Sequence, residues 1–218
     1  MLNVSFEVML SRVIVLAVLL LVAFPIHEFA HALAAYRLGD STARLFGRLT
    51  LNPLAHFDPA GGLMLAISVL LVGFGFGWAK PTPVNPRNLE GGRWGEAIVA
   101  AAGPISNLVL AIIASIPLRF IYAAGMDVGL LEIVLQLFIV INLVLMLFNL
   151  IPIPPLDGSA VLFAFLSPQT AWRLRPILAQ YGIFILIFLI FPVFGGASLL
   201  TQVFGAIINP LYGLLVGV

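Results

Sequence analysis

The sequence predicts an all-α polytopic membrane protein. It should have about five full transmembrane helices, a re-entrant or interfacial segment near 61–79, and short β-strands in 44–59. Three observations lead there. Of the 218 residues, 62% are apolar and only 9% charged, against about 25% charged in an ordinary soluble domain. Mean hydropathy is +1.17, so the chain cannot supply a polar surface. Apolar runs recur, each of about 20 residues or more, the length that crosses a bilayer as helix. Between them lie Gly, Pro and most of the charge. Disorder, nucleic-acid binding and coiled-coil readings are excluded by this composition. The net charge of +1 implies no acidic or basic partner. With no cysteine, disulfides, thiolate metal sites and a cysteine nucleophile are excluded.

The first span is expected from about Val8 to Tyr36. At 1.5 Å per residue it reaches about 43 Å, longer than the bilayer core, so it must tilt or protrude. Arg12 followed by an apolar run has the look of a signal peptide. The run continues into His27, Glu28 and His31 without a small-residue cleavage site, so a retained span is expected. A polar stretch, Arg37 to Pro59, is rich in turn formers. The apolar stretch Gly61 to Ala79 contains Gly73, Gly75 and Gly77, which suit a bend. Lys80 to Arg93 is a Pro-rich loop. Further spans are expected from about Gly95 to Ala123 and from Leu130 to Ile151. Residues 152–175 read as a Pro-bearing loop with a short apolar piece. Two last apolar runs cover about 177–193 and 198–216. Repeats and a second domain are not evident, so 1–218 reads as one domain, with a core at about 8–165 and C-terminal helices at about 177–216.

His27-Glu28-Phe29-Ala30-His31 matches H-E-x-x-H. On a helix, residues four apart share a face, so both imidazoles can reach one ion. Glu28 lies on the same broad face and can accept a proton from water beside the metal without being a ligand. Zinc hydrolysis needs this set: fixed nitrogens, a proton acceptor and an open position. Ionisable groups in an apolar span are costly and do not persist without partners, which argues against a chance match.

Two histidines require a third protein ligand. The remaining histidine is His56, and among the acids Asp157 stands out. It follows a span in Asn149-Leu-Ile-Pro-Ile-Pro-Pro-Leu-Asp157-Gly158. The prolines stop the helix, and Gly158 permits close backbone approach. Non-helical backbone at membrane depth is tolerated where it lines an enclosed cavity. Asp-Gly is also an ordinary turn pair, so from spacing alone ligand and turn remain open.

These motifs together resemble the site-2 protease family of intramembrane zinc metalloproteases. The resemblance rests on four segments in order: His27 to His31; Leu51-Asn-Pro-Leu-Ala-His56-Phe-Asp-Pro59; Ala102-Gly-Pro-Ile-Ser-Asn107; and Asn149 to Gly158. They cover about residues 20–165. The chain looks most like the short prokaryotic members, since its loops have no room for a PDZ or CBS module. The resemblance implies one zinc held by His27, His31 and Asp157, with Glu28 as general base. It also implies a membrane-protein or peptide substrate within the lipid bilayer and a role in regulated intramembrane proteolysis. Substrate identity, pathway and oligomeric state are not legible.

For His27, His31 and Asp157 to meet, the ends of their two spans must lie on one side. An even number of crossings then separates them, so 61–79 should enter and return. Under that arrangement Arg37, Arg44, Arg48, Lys80, Arg87, Arg93, Arg173 and Arg175 share one side, and Arg12 and Arg119 the other. The positive-inside rule makes the first side cytoplasmic. The N-terminus is then expected outside and the C-terminus inside a prokaryotic cell membrane.

Asn107 and His56 are candidates for contacting substrate or a developing oxyanion, with interhelical and loop hydrogen bonding as the plainer readings. Asp58 can orient His56. Asn142 and Asn149 read as structural, and Trp78, Trp94 and Trp172 as an interfacial belt. An extended substrate could pair with a strand edge in 44–59 or near 61–79. Two other functions use the same residues. A metal transporter would need a polar path through the spans, which carry few ionisable groups beyond this cluster. An inactive scaffold binding membrane helices would not need an intact Glu28 and ligand set.

Overall fold

The computed structural model describes residues 6–72, 75–191 and 198–217. Among these, all regular structure is helical. Five helices are long and apolar enough to cross a membrane. They are α1 (Phe6–Arg37), α3 (Arg93–Ala123), α4 (Leu130–Asn149), α6 (Pro168–Ile190) and α7 (Leu199–Val216). The shorter α2 (Pro59–Leu71) and α5 (Gly158–Phe165) complete the set. The strands expected in 44–59 do not form. Thr42–Leu45 and Pro53–His56 are single helical turns. The Asn52 side chain accepts the Leu54 N–H at 3.1 Å, and Pro53 follows it. A side-chain cap and a proline at the first helical position start a helical turn rather than a strand.

α1 widens to a π-helix at Leu19–Ala23. Pro25 has no N–H for the carbonyl four residues back. The helix adapts through a wider turn in which the Phe24 N–H reaches the Leu19 carbonyl. The stretch carrying His27 and His31 begins directly after this adjustment.

The described limbs of the segment 61–79 double back on each other. Asp58 caps α2, its Oδ1 accepting the Gly61 N–H at 2.8 Å. Leu65 and Val69 of α2 bury against Leu19 of α1. The returning chain lies against the same helix, where Ser68 Oγ accepts the Phe76 N–H at 2.8 Å. A Cβ on Gly61 would sit 2.1 Å from the Trp78 carbonyl oxygen, and one on Gly77 2.5 Å from Leu65 Cβ. The two glycines allow the limbs to touch; Gly73 lies outside the described residues. Arg12 donates to the Leu70 carbonyl and ties the deep end of the hairpin to α1. Arg12 is 15 positions before His27, so the hairpin extends about 22 Å along α1 at 1.5 Å per residue.

α3 and α4 form the centre. Ala111, Ala114 and Leu118 pack on Ile139, Leu143 and Met146, with Ile208 and Val216 of α7. α5 docks on the start of α3, where Arg93 donates to the Leu166 carbonyl at 2.8 Å. The Arg175 guanidinium stacks over Phe163 at 4.8 Å and lies 3.5 Å from Glu96. α6 begins at Pro168, earlier than the apolar run at 177. Ser167 caps it by accepting the Thr170 N–H, and its first turns carry Trp172, Arg173 and Arg175.

A Cβ on Gly217 would lie 3.1 Å from Arg119 Nε, near the end of α3. α7 therefore ends beside the C-terminal end of α3, away from the end where the histidines lie.

Candidate metal centre

His27 and His31 project from successive turns of α1 and are both buried. Each ring is oriented through Nδ1. His31 Nδ1 lies 2.8 Å from the Val99 carbonyl, which can only accept, so this nitrogen carries a proton. His27 Nδ1 lies 2.7 Å from Asn107 Oδ1. The orientation of that amide is fixed from behind. Asn142 Nδ2 donates to the Phe138 carbonyl at 2.8 Å, and Asn107 Nδ2 donates to Asn142 Oδ1 at 2.9 Å. Asn107 must then turn its oxygen to His27, whose Nδ1 is also the protonated nitrogen.

Both neutral rings thus direct a bare Nε2 inward. The two Nε2 atoms are 3.0 Å apart. Asp157 Oδ2 lies 3.2 Å from one and 3.3 Å from the other. With both rings in the neutral form that ligates a metal, three lone-pair atoms converge, an arrangement that repels itself unless a cation is shared. Two imidazole nitrogens and one carboxylate oxygen, each held by outer hydrogen bonds or backbone, fit a zinc-type ion.

Small residues make the convergence possible. A Cβ on Gly103 would sit 2.4 Å from His31 Nε2 and 2.6 Å from His27 Nε2. A Cβ on Gly158 would sit 2.2 Å from the Leu150 carbonyl oxygen. Gly158 therefore lets the chain fold back after α4 and present Asp157, as the Pro-Pro-Leu-Asp-Gly run suggests.

Glu28 is half-buried beside this group. Its Oε2 accepts the Thr82 N–H at 2.8 Å, and its carbonyl accepts the Thr82 hydroxyl at 3.0 Å. Neither contact is visible in the sequence, because 54 residues separate the partners. His56 stands apart from the cluster. Its Nε2 lies 2.8 Å from the Thr50 carbonyl, and its own carbonyl accepts the Lys80 N–H at 2.8 Å. Asp58 serves as the cap of α2. Asn149 Nδ2 donates within its own helix to Leu145.

Asp40 was not a sequence candidate, yet it is fully buried. Oδ1 accepts from the Thr42 N–H at 3.0 Å and from Asn88 Nδ2 at 3.1 Å. Oδ2 accepts the Asn85 N–H at 2.7 Å. Burial pushes its carboxyl up, but the hydrogen bonds from Thr42, Asn85 and Asn88 more than offset this and hold it below its ordinary value. The signal present in the sequence is Asp40-Ser-Thr42 directly after a helix end, a pattern for a local side-chain turn.

A polytopic helical membrane protein with an H-E-x-x-H helix and a distant aspartate converging on one point belongs to the class of membrane-embedded metallopeptidases. The comparisons with known proteins agree. The chain matches the model of Peptidase family M50 over residues 14–125 and 115–190, and it belongs to that family. It is 38% identical to "Putative zinc metalloprotease YwhC" of Bacillus subtilis (strain 168), covering 93% of this chain and 96% of that one. It is 33% identical to "Putative zinc metalloprotease Rip2" of Mycolicibacterium smegmatis, covering 78% of this chain and 64% of the relative. Rip2 of Mycobacterium tuberculosis (strain H37Rv) is 30% identical over 81% of this chain and 66% of its own length. No solved structure matches the chain.

Proposed function

We propose that the protein is a zinc-dependent intramembrane endopeptidase, holding one zinc per chain and hydrolysing peptide bonds in or near transmembrane segments of membrane-protein substrates. The observation that carries this reading is the convergence of His27 Nε2, His31 Nε2 and Asp157 Oδ2 beside Glu28, on a helix long enough to cross a bilayer. His27, His31 and Asp157 would hold the ion. When bound, zinc supplies Lewis-acid polarisation of the scissile carbonyl and lowers the pKa of water. Asn107 and the Val99 carbonyl keep both imidazoles in the ligating tautomer. Glu28 takes the proton of the attacking water and passes it to the leaving amine. The substrate must be locally unwound, because a helix ties up its carbonyls. Asp157 and Glu28 keep partial exposure, which fits water entry from the end bearing the basic loops. The bias of basic residues toward that end favours a cytoplasmic site, with the N-terminus outside. Regulated intramembrane proteolysis is the physiological setting this reading fits.

The test uses purified protein in detergent, zinc analysis, and a transmembrane reporter peptide. Wild type should bind about one zinc per chain and cleave. Glu28→Gln should keep the zinc and lose cleavage; Asp157→Ala should lose both. Cleavage retained in Glu28→Gln would overturn the mechanism.

A further inference from the structure

The chain from Lys80 to Asn85 forms a strap that crosses α1 at Glu28. Its two ends are fastened to groups other than Glu28. The Lys80 N–H donates to the His56 carbonyl at 2.8 Å, and the Asn85 N–H to Asp40 Oδ2 at 2.7 Å. Asn88 reinforces the second anchor through Asp40 Oδ1. Between the anchors runs Pro81-Thr82-Pro83-Val84. Proline fixes its own φ and confines the preceding residue to extended conformations, so Lys80 and Thr82 are both restricted. The prolines also lack N–H groups, which leaves Thr82 as the one donor in Pro81-Thr82-Pro83. That donor meets Glu28 Oε2 at 2.8 Å, and the Thr82 hydroxyl meets the Glu28 carbonyl at 3.0 Å.

We propose that Thr82 is the positioning residue for Glu28: a stiff strap, anchored at both ends, holds its single N–H against one carboxylate oxygen and leaves the other to take the proton. This rests on the reading of Glu28 as the general base. The direction of control follows from stiffness. The glutamate side chain turns about three torsions, whereas the strap is restricted by two prolines and fixed at both anchors, so the strap sets the carboxylate. No described residue donates a hydrogen bond to Oε1. Asp40 then acts through the strap by its side chain, which accounts for one buried polar residue that does not join the metal cluster, whereas position 56 contributes only its backbone carbonyl. Small misplacements of a catalytic group cost up to about 100-fold in rate.

The experiment has two arms on the full-length protein. The first compares wild type, Thr82→Ser, Thr82→Pro, and an amide-to-ester replacement at position 82 in case Thr82→Pro fails to fold. Thr82→Pro and the ester lack the N–H. Their kcat should fall about 10- to 100-fold, with KM within about threefold of wild type and zinc content unchanged. Thr82→Ser keeps both donors and should restore kcat. An unchanged kcat, or a loss explained by KM or by zinc, overturns the proposal. The second arm needs no activity. Amide hydrogen exchange across 80–84 reports Lys80, Thr82 and Val84 alone, since the prolines have no amide. Glu28→Ala should deprotect Thr82 and leave Lys80 protected. Unchanged Thr82 exchange overturns the proposal. If wild type cleaves nothing, the peptidase reading fails while the exchange arm still decides whether the strap holds Glu28.

Discussion

At Gly103, α3 passes so close to α1 that a single methyl group would enter the space where the two imidazoles meet. Its Cβ would lie 2.4 Å from His31 Nε2, a clash relieved only if the rings leave their bonds to Val99 and Asn107 or the helices part. Gly103→Ala should therefore cut zinc binding by at least about 10-fold, because the ligand nitrogens must separate. Isothermal titration or competition with a chelator would measure this; wild-type affinity in the variant would show that the helices move apart freely. At this scale the sequence was legible in part. The His27 and His31 pairing is local, and helical periodicity gives it directly. Asp157 needed the resemblance to a family, because Asp-Gly after a helix end is also a common turn. The Asn107 contact with His27 spans 80 residues and the Thr82 contact with Glu28 spans 54. No local pattern encodes such pairs; they exist only once α1, α3 and the strap are packed.

At the scale of elements, the strap depends on Asp40. Four donors from Thr42, Asn85 and Asn88 surround its carboxylate. An asparagine there would turn an NH2 group toward one of those donors, a loss of about 1–3 kcal/mol for a buried unsatisfied group. Asp40→Asn should lower the thermal unfolding midpoint and speed amide exchange at Asn85. The pH dependence has a definite sign. A carboxyl held below its ordinary value stabilises the fold fully above the unfolded carboxylate value, about 3.9. That contribution is lost as pH falls through the lower folded value. The gap between wild type and Asp40→Asn should thus persist at neutral pH and close as pH drops below about 4. A gap independent of pH would show that the charge plays no part. Other elements show where sequence pattern succeeds and fails. Of the glycines at 73, 75 and 77 that suit a bend, Gly77 lies where the returning chain meets α2, and Gly61, which carries no such signal in the sequence, faces it. The strands expected in 44–59 gave way to helical turns because Asn52-Pro53 is a helix start. α6 was placed too late because its first turns are basic and aromatic, so hydropathy hides a helix that Ser167-Pro168 begins.

For the whole molecule, side-chain neighbours show which helix ends lie together. Glu96 and Arg175 place the starts of α3 and α6 at the end where the strap and the His27, His31 and Asp157 cluster lie. Gly217 beside Arg119 places the end of α7 at the other. Hydropathy counts apolar runs but cannot say which of them pack in parallel. These 218 residues contain no cysteine, so single introduced cysteines report sidedness without a background to remove. Arg87→Cys, Asp127→Cys and a cysteine added after Val218 should be treated with a membrane-impermeant maleimide in sealed vesicles of known orientation. Arg87 precedes α3 and is exposed, as is Asp127 between α3 and α4. The added C-terminal cysteine should label together with Cys at 127 and from the side opposite Cys at 87. Labelling of the C-terminal cysteine together with position 87 would contradict the packing of α7 along α3. Labelling of position 87 from the cytoplasmic face would support a protease whose strap, base and metal ligands all face the interior of the cell.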